Sequence, residues 1–389
     1  MNRVNKRQDH DLASIFTNYG KEFLSQNDLC MDQYKAFNAI VNCRTSKLGG
    51  HLHSCDQCGH QHIAYNSCRN RHCNKCQYVK QLKWVDKLKS SLPVCSYFHM
   101  VFTIPKALHK LFYLNQRICY TLLFKASSMA LQKAGSNPNF LGAQTGAVAV
   151  LHTWGEALTY HPHIHMIVPA GGLSYDGTQW IPSKGKKFFL PVKALAKIFR
   201  GVLCSLLQKH LENGTIKLPQ DCSDFVSLKQ KLYQKQWHVY AKKAMRGPNA
   251  VVAYLGKYTQ RVAVSNNRIK EVNQGRITIR WKNYRKNLSN QLLRLSANEF
   301  IGRFLRHVLP GGFYRIRYYG ILASANCNTK KLKCIALLGK QPPISILKGL
   351  TIREILTIVT GNDPDCCPKC KKGTMVKLKI IPQIREKPS

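Results

Sequence analysis

Apolar residues recur at helical spacing through residues 11–40, in LASIFTNYGKEFL and YKAFNAIVN, and predict two amphipathic helices. Residues 43–77 lose that period and are rich in turns, cysteines and histidines. VKQLKWVDKLKSSL resumes a helix as far as Pro93. CSYFHMVFTIP is a continuous apolar run closed by Pro105, the pattern of a buried strand, and helical KALHKLFYLNQRICYTLLFKASSMALQKA follows it. GAVAVLHTW then leads to LTYHPHIHMIVPAGG at residues 158–172, where the period is two. On a strand His161, His163 and His165 share one face, and Ile164, Met166 and Val168 share the other. The two runs read as antiparallel neighbours joined by residues 155–161. Residues 173–189 read as a polar hairpin turning at Asp176-Gly177. The helix after it carries Leu195, Ile198, Phe199, Val202 and Leu206 on one face. Residues 249–262 predict another helix, and RITIRW alternates Ile277, Ile279 and Trp281 against Arg276, Thr278 and Arg280. Helices interleaved with hairpin-like strands predict an α+β fold rather than a parallel, doubly wound one.

Charge narrows the class of partner. Sixty Lys and Arg against eighteen Asp and Glu leave +42 over 389 residues, an excess that reads as a partner of nucleic acid. The charge is spread along the chain, which indicates a binding surface rather than a basic tail. No run of about 18 apolar residues is present to span a bilayer, and the first thirty residues lack a signal-peptide core, so no membrane role is expected. Six of the sixteen cysteines fall in CxxC pairs, which favours reduced, metal-bound thiols in a cytoplasm over disulfides.

CDQCG supplies Cys55 and Cys58, and HCNKCQ supplies Cys73 and Cys76, with fourteen residues between the knuckles. Each CxxC turn aims two thiolates at one ion, so these four predict a tetrahedral structural zinc site. Cys43, His51, His53, Cys68 and His72 are interleaved with it. Cys43, His51, Cys68 and His72 form the candidate second zinc set, against a reading as capping or exposed residues. CCPKC, with Cys366, Cys367 and Cys370, is half a site, with Cys327 and Cys334 as the suggested partners.

The histidine strand has three readings. A zinc hydrolase would want an acidic ligand soon after the HxH, where Met166, Ile167 and Val168 stand. A plain DNA-binding module would not need the histidines. A nuclease holding a divalent ion on a scissile phosphate, with a tyrosine nucleophile, would need a nearby helix bearing tyrosine, and VVAYLGKYTQRVAVSNNRI supplies Tyr254 and Tyr258.

At this point the chain resembles the rolling-circle, two-tyrosine transposases of the insertion-sequence-91 family, within the HUH endonuclease superfamily. LGGH…CDQCGH…YNSCRNRHCNKCQ resembles the family's zinc-binding domain, YFHMVFTIP its first catalytic strand and LHTWGEALTYHPHIHMIVPAGG its histidine motif. AYLGKYTQRVAVSNNRI resembles the tyrosine motif, and FIGRFLRHVLPGGFYRIRYYG the basic segment after it. One departure is Asn74, where the knuckle commonly carries proline. The resemblance implies His163 and His165 as ligands of Mg(2+) or Mn(2+), and Tyr254 and Tyr258 as nucleophiles forming 5′-phosphotyrosine links. His161 is read as structural or substrate-contacting. Glu156, seven residues before His163, stands where some superfamily members place an acidic third ligand. Arg276, Arg280, Arg303, Arg306, Arg315 and Arg317 are the candidate DNA contacts.

The expected organisation is a helical and zinc-binding domain over 1–92 and an HUH endonuclease core, an antiparallel sheet with flanking helices, over 93–265. A basic DNA-binding extension over 266–325 and a tail with the CPKC knuckle over 326–389 complete it. The resemblance implies a bacterial, cytoplasmic, nucleoid-associated enzyme that nicks single-stranded or hairpin element ends. The alternatives are a plasmid replication initiator or relaxase, and a non-catalytic zinc DNA-binding protein.

Overall fold

The computed structural model describes residues 11–185, 191–245, 247–250, 256, 263–283 and 288–384. It opens with α1 (Leu12–Gln26), capped by the Asp11 carboxylate accepting from the Ser14 N–H at 2.7 Å, and α2 (Met31–Asn42). A hairpin of β1 (Gly50–Cys55) and β2 (Gln61–Tyr65) leads to α3 (Tyr78–Lys89) and β3 (Tyr97–Thr103). The long helical pattern after Pro105 becomes α4 (His109–Leu114) and α5 (Gln116–Ser136), interrupted at Asn115, whose ψ of 44° leaves the helical region. β4 (Gly146–Trp154) and β5 (Tyr160–Pro169) form a hairpin, and β6 (Gly171–Leu173) and β7 (Trp180–Pro182) form a smaller one. α6 (Val192–Glu212), α7 (Phe225–Gln234) and β8 (Val239–Met245) follow. β9 (Ile269–Asn273), β10 (Arg276–Asn283) and β11 (Leu288–Ser296) make an antiparallel meander that runs into helix Ala297–Leu305. The last elements are β12 (Ile316–Gly320), helices Lys330–Leu338 and Ile352–Thr360, and β13 (Met375–Ile381).

The main sheet has the order β12-β4-β5-β3-β8, antiparallel throughout, with β5 in the middle. Its alternation sorts the side chains. Phe98, Met100, Phe102, Ala149, Leu151, Ile164, Met166 and Val168 point into a core shared with α5 and α6. Tyr97, Val148, Val150 and Ile167 point the other way, onto Leu88, Trp84 and Val85 of α3. His99, His152, His163 and His165 belong by the same alternation to the α3 face. The α+β class is what the periodicity predicts, and the antiparallel sheet with flanking helices is what the family resemblance implies.

The N-terminal helices find distant partners. α1 and α2 share a core with β9, β10 and helix Ala297–Leu305, where the Phe16 ring sits 5.2 Å from that of Phe37 and 5.4 Å from that of Phe304. β12, inside the stretch expected as a basic extension, is an edge strand of the main sheet. β13 pairs antiparallel with β1, so the end of the chain returns to its beginning and completes a sheet of order β13-β1-β2.

Candidate functional site

β5 carries His163 and His165 two positions apart, and hairpin register sets His152 of β4 directly opposite His163. All three are buried, and one ring nitrogen from each lies within 4.8 Å of the other two. The Nε2 atoms of His163 and His165 are 3.0 Å apart. His163 donates its Nδ1–H to the His161 carbonyl at 2.6 Å, which leaves the Nε2 lone pair facing the cluster. His165 Nδ1 meets His99 Nε2 at 2.8 Å, so His99, across β3, fixes the His165 ring with Nε2 turned inward. Burial pushes the His163 pKa down to about 3 and that of His165 well below the ordinary value. The imidazoles are therefore neutral at physiological pH, the state a metal requires. Three imidazole nitrogens converging from two strands can hold a divalent cation with open positions for phosphate oxygens.

His161 stands 5.3 Å from His163, ring to ring, and packs against His109; it contributes its carbonyl rather than a ligand nitrogen. Glu156, expected to be a third ligand, is placed elsewhere. It lies in the β4–β5 turn with its carboxylate 3.8 Å from Arg268, which also donates to its backbone carbonyl. The sequence reading missed His152 and His99. His152 follows Val148 and Val150 at period two on one face, a signal present in GAVAVLHTW. Tyr254 and Tyr258 lie outside the described residues. Gly256, between them in sequence, is described: it is buried against α3, its carbonyl accepts from Gln81, and the Val85 side chain is its neighbour. That puts Gly256 on the side of the sheet that carries the histidines.

The cysteines sort differently from their order in the sequence. Cys43 at the end of α2 gathers with Cys68, Cys73 and Cys76, with Sγ atoms of Cys43 and Cys76 3.3 Å apart and those of Cys68 and Cys76 3.6 Å apart. Hydrogen bonds within the cluster lower the pKa of the Cys43 thiol and raise those of Cys68 and Cys73. Cys55 and Cys58 are not with them, which corrects the expected Cys55, Cys58, Cys73, Cys76 site. They sit at the tip of the β1–β2 hairpin, about five residues or roughly 17 Å of extended strand beyond its base. There they meet Cys367 and Cys370, not the other knuckle. Cys334 is instead buried beside Leu88 and Tyr97, and Cys327 bonds to Asn328, so neither pairs with the CPKC knuckle. His51 packs edge-on to His53, and His72 accepts from the Leu309 N–H at 3.3 Å; neither histidine joins a thiol cluster.

Of the six arginines, Arg276, Arg280 and Arg306 are exposed. Arg303 is held by Glu299 at 2.6 Å and by the Ala157 carbonyl at 2.8 Å. Arg317 lies over the rings of Phe124 and Phe313, and Arg315 is half-buried, its pKa lowered by burial to about 10. Thr278, between Arg276 and Arg280, is buried, so the two arginines are not joined into one open face.

The sequence matches two families: a transposase zinc-binding domain over residues 15–104 and a putative transposase over residues 146–330. The first span contains the Cys43, Cys68, Cys73 and Cys76 cluster, whose four thiols suit structural zinc. The "Putative transposase y4qJ" of Sinorhizobium fredii is 40% identical over 394 positions, covering 98% of each chain. The "Transposase for insertion sequence element IS801" of Pseudomonas savastanoi pv. phaseolicola is 29% identical over 339, covering 85% of this chain and 80% of that one. Among solved structures, a metal-bound conjugative relaxase TrwC with oriT DNA covers 42% of this chain and 71% of its own at 14% identity. Its TM-score of 0.24 is too low to bear on the fold. With both domains matched in order and a relative aligned end to end, the chain belongs to the insertion-sequence-91 family of transposases.

Proposed function

We propose that the chain nicks one DNA strand at an element end by attack of Tyr254 or Tyr258, with His152, His163 and His165 as the metal ligands. The observation that carries this reading is the buried imidazole triad on the α3 face of the sheet, the side on which Gly256 packs against α3. The phenol oxygen would bond to phosphorus as the bond to the 3′ oxygen breaks. The result is a 5′-phosphotyrosine and a free 3′-OH that carries away a proton. A free phenol has a pKa of about 10 and is a weak nucleophile at neutral pH, so it needs help. A bound divalent cation supplies that by neutralising the charge that develops on the phosphate. Of Mg(2+) and Mn(2+), an all-nitrogen donor set suits manganese, because magnesium is the harder cation and favours oxygen ligands. His161, through its carbonyl, and His99 keep the ligand rings turned inward. The substrate is single-stranded or hairpin DNA and the setting the bacterial cytoplasm, with the nucleoid as its site of action.

Single-stranded oligonucleotides carrying element ends, incubated with manganese, test the reading through denaturant-stable protein–DNA adducts. Tyr254→Phe and Tyr258→Phe are each expected to keep some adduct if the tyrosines alternate, and the double variant to have none. Adducts surviving in the double variant would remove both tyrosines from the mechanism. No adduct from wild type would favour a DNA-binding protein without this chemistry.

A further inference from the structure

Two cysteine knuckles from opposite ends of the chain meet at one point. The tip of the β1–β2 hairpin presents Cys55 and Cys58, and the turn before β13 presents Cys367 and Cys370. Sγ of Cys55 lies 3.6 Å from that of Cys370, and Sγ of Cys58 lies 3.7 Å from that of Cys367. Four sulfurs each about 2.3 Å from a tetrahedral zinc are roughly 3.8 Å apart, so the spacing fits that ion. Each knuckle has a backbone N–H on one of its sulfurs and a left-handed residue after its second cysteine. The Gln57 N–H donates to Cys55 Sγ at 3.4 Å and the Gly373 N–H to Cys370 Sγ at 3.3 Å, contacts that favour thiolates. The residue after each second cysteine is left-handed, Gly59 at φ 67° and Lys371 at φ 60°. The approach is close: a Cβ on Gly373 would lie 2.4 Å from Cys55 Sγ and 2.6 Å from Asp56 Oδ1. Asp56 joins the turns by donating its N–H to the Thr374 carbonyl and accepting from the Thr374 N–H at 2.8 Å.

Apart from the pairing of β13 with β1, little apolar packing holds this end of the molecule. The local core is Cys55, Cys367 and Met375, with Cys370 packed on it, and five of the seven residues of β13 are exposed. So small an apolar cluster does not offset the entropy of ordering three strands, the circumstance in which small domains depend on a metal. Neither Cys367 nor Cys370 falls within the residues that match the two transposase families.

We infer that Cys55, Cys58, Cys367 and Cys370 bind a structural zinc, separate from that of Cys43, Cys68, Cys73 and Cys76, which clasps β13 to the zinc-binding region. The N-terminal knuckle is completed only when the C-terminal one has been synthesised, and the ion joins residues 309 and 315 positions apart.

Metal analysis of the full-length chain decides the matter. Cys370→Ser should lose one zinc per chain relative to wild type. Cys366→Ser, which removes an exposed neighbouring thiol outside the cluster, should lose none. Limited proteolysis should cut Cys370→Ser between residues 360 and 375 sooner than wild type. Equal zinc in wild type and Cys370→Ser overturns the clasp, as does a Cys55–Cys370 disulfide in wild type purified under reducing conditions. Should Cys370→Ser not fold, cobalt-substituted wild type and Cys370→His serve instead. A weaker thiolate-to-cobalt absorption in the histidine variant supports the site, and an unchanged one overturns it.

Discussion

At the scale of single residues, the site turns on what stands opposite what. His152 and Glu156 are four positions apart in HTWGE, yet one is buried against His163 and the other is drawn to Arg268 at the turn. His152→Ala is therefore expected to abolish nicking in manganese while circular dichroism and DNA binding persist. Glu156→Ala should still nick. Full cleavage by His152→Ala would take that residue out of the site. His99 is expected to act through His165: its loss should weaken manganese affinity roughly 10–100-fold, the usual cost of removing a partner that orients a ligand. Raised manganese should restore nicking in His99→Gln, which a merely structural defect would not allow. The same scale separates the arginines. Arg317→Ala should lower the unfolding midpoint, since its guanidinium packs on two rings, whereas exposed Arg306→Ala should act on DNA affinity alone.

At the scale of elements, the β4–β5 hairpin is fastened from outside its sheet. Arg303 donates to Ala157, and His307 lies between the Thr153 hydroxyl and the Leu158 carbonyl at 3.2 Å from each. Burial lowers the His307 pKa to about 4 from an ordinary 6.5. Between those values the unfolded chain binds the proton and the folded chain does not, so stability rises with pH across that window. It is present in full above about 6.5 and lost as pH falls through about 4. The denaturation midpoint of wild type should therefore drop between these limits, and His307→Gln should flatten that drop while costing stability at neutral pH. An unchanged pH profile in His307→Gln would show that other histidines with lowered pKa, such as His72, carry the dependence. The strands were readable in advance because alternation is local: β5 sorts its histidines from Ile164, Met166 and Val168 as its period requires. The break of one long helical pattern into α4 and α5 was not, since Asn115 ends a helix here through its ψ and its bonds to Lys217.

At the scale of the whole molecule, a net charge of +42 has to meet phosphate. Affinity for single-stranded DNA should fall linearly in log salt, with a slope of roughly −0.7 per phosphate contact. Arg276→Ala, Arg280→Ala and Arg306→Ala should each make that slope shallower by about 0.7 if each touches one phosphate. A slope that none of the three alters would move the interface elsewhere on the surface. The sequence by itself determined the class of the molecule: α+β, basic, with thiolate knuckles, an HxH strand and the motifs of its family. Those signals are properties of neighbours along the chain, set by the periods of strand and helix and by the span of a CxxC turn. Only the tertiary structure decided the partners. Cys55 and Cys58 look adjacent to Cys73 and Cys76 in sequence, but a strand carries them to the far end of a hairpin, where residues some 310 positions later close the cluster. His152 meets His163 through hairpin register, and α1 finds its partner in a core shared with Phe304. A knuckle or an amphipathic face requires a partner without naming one, because the choice depends on which surfaces bury together once the whole chain is folded.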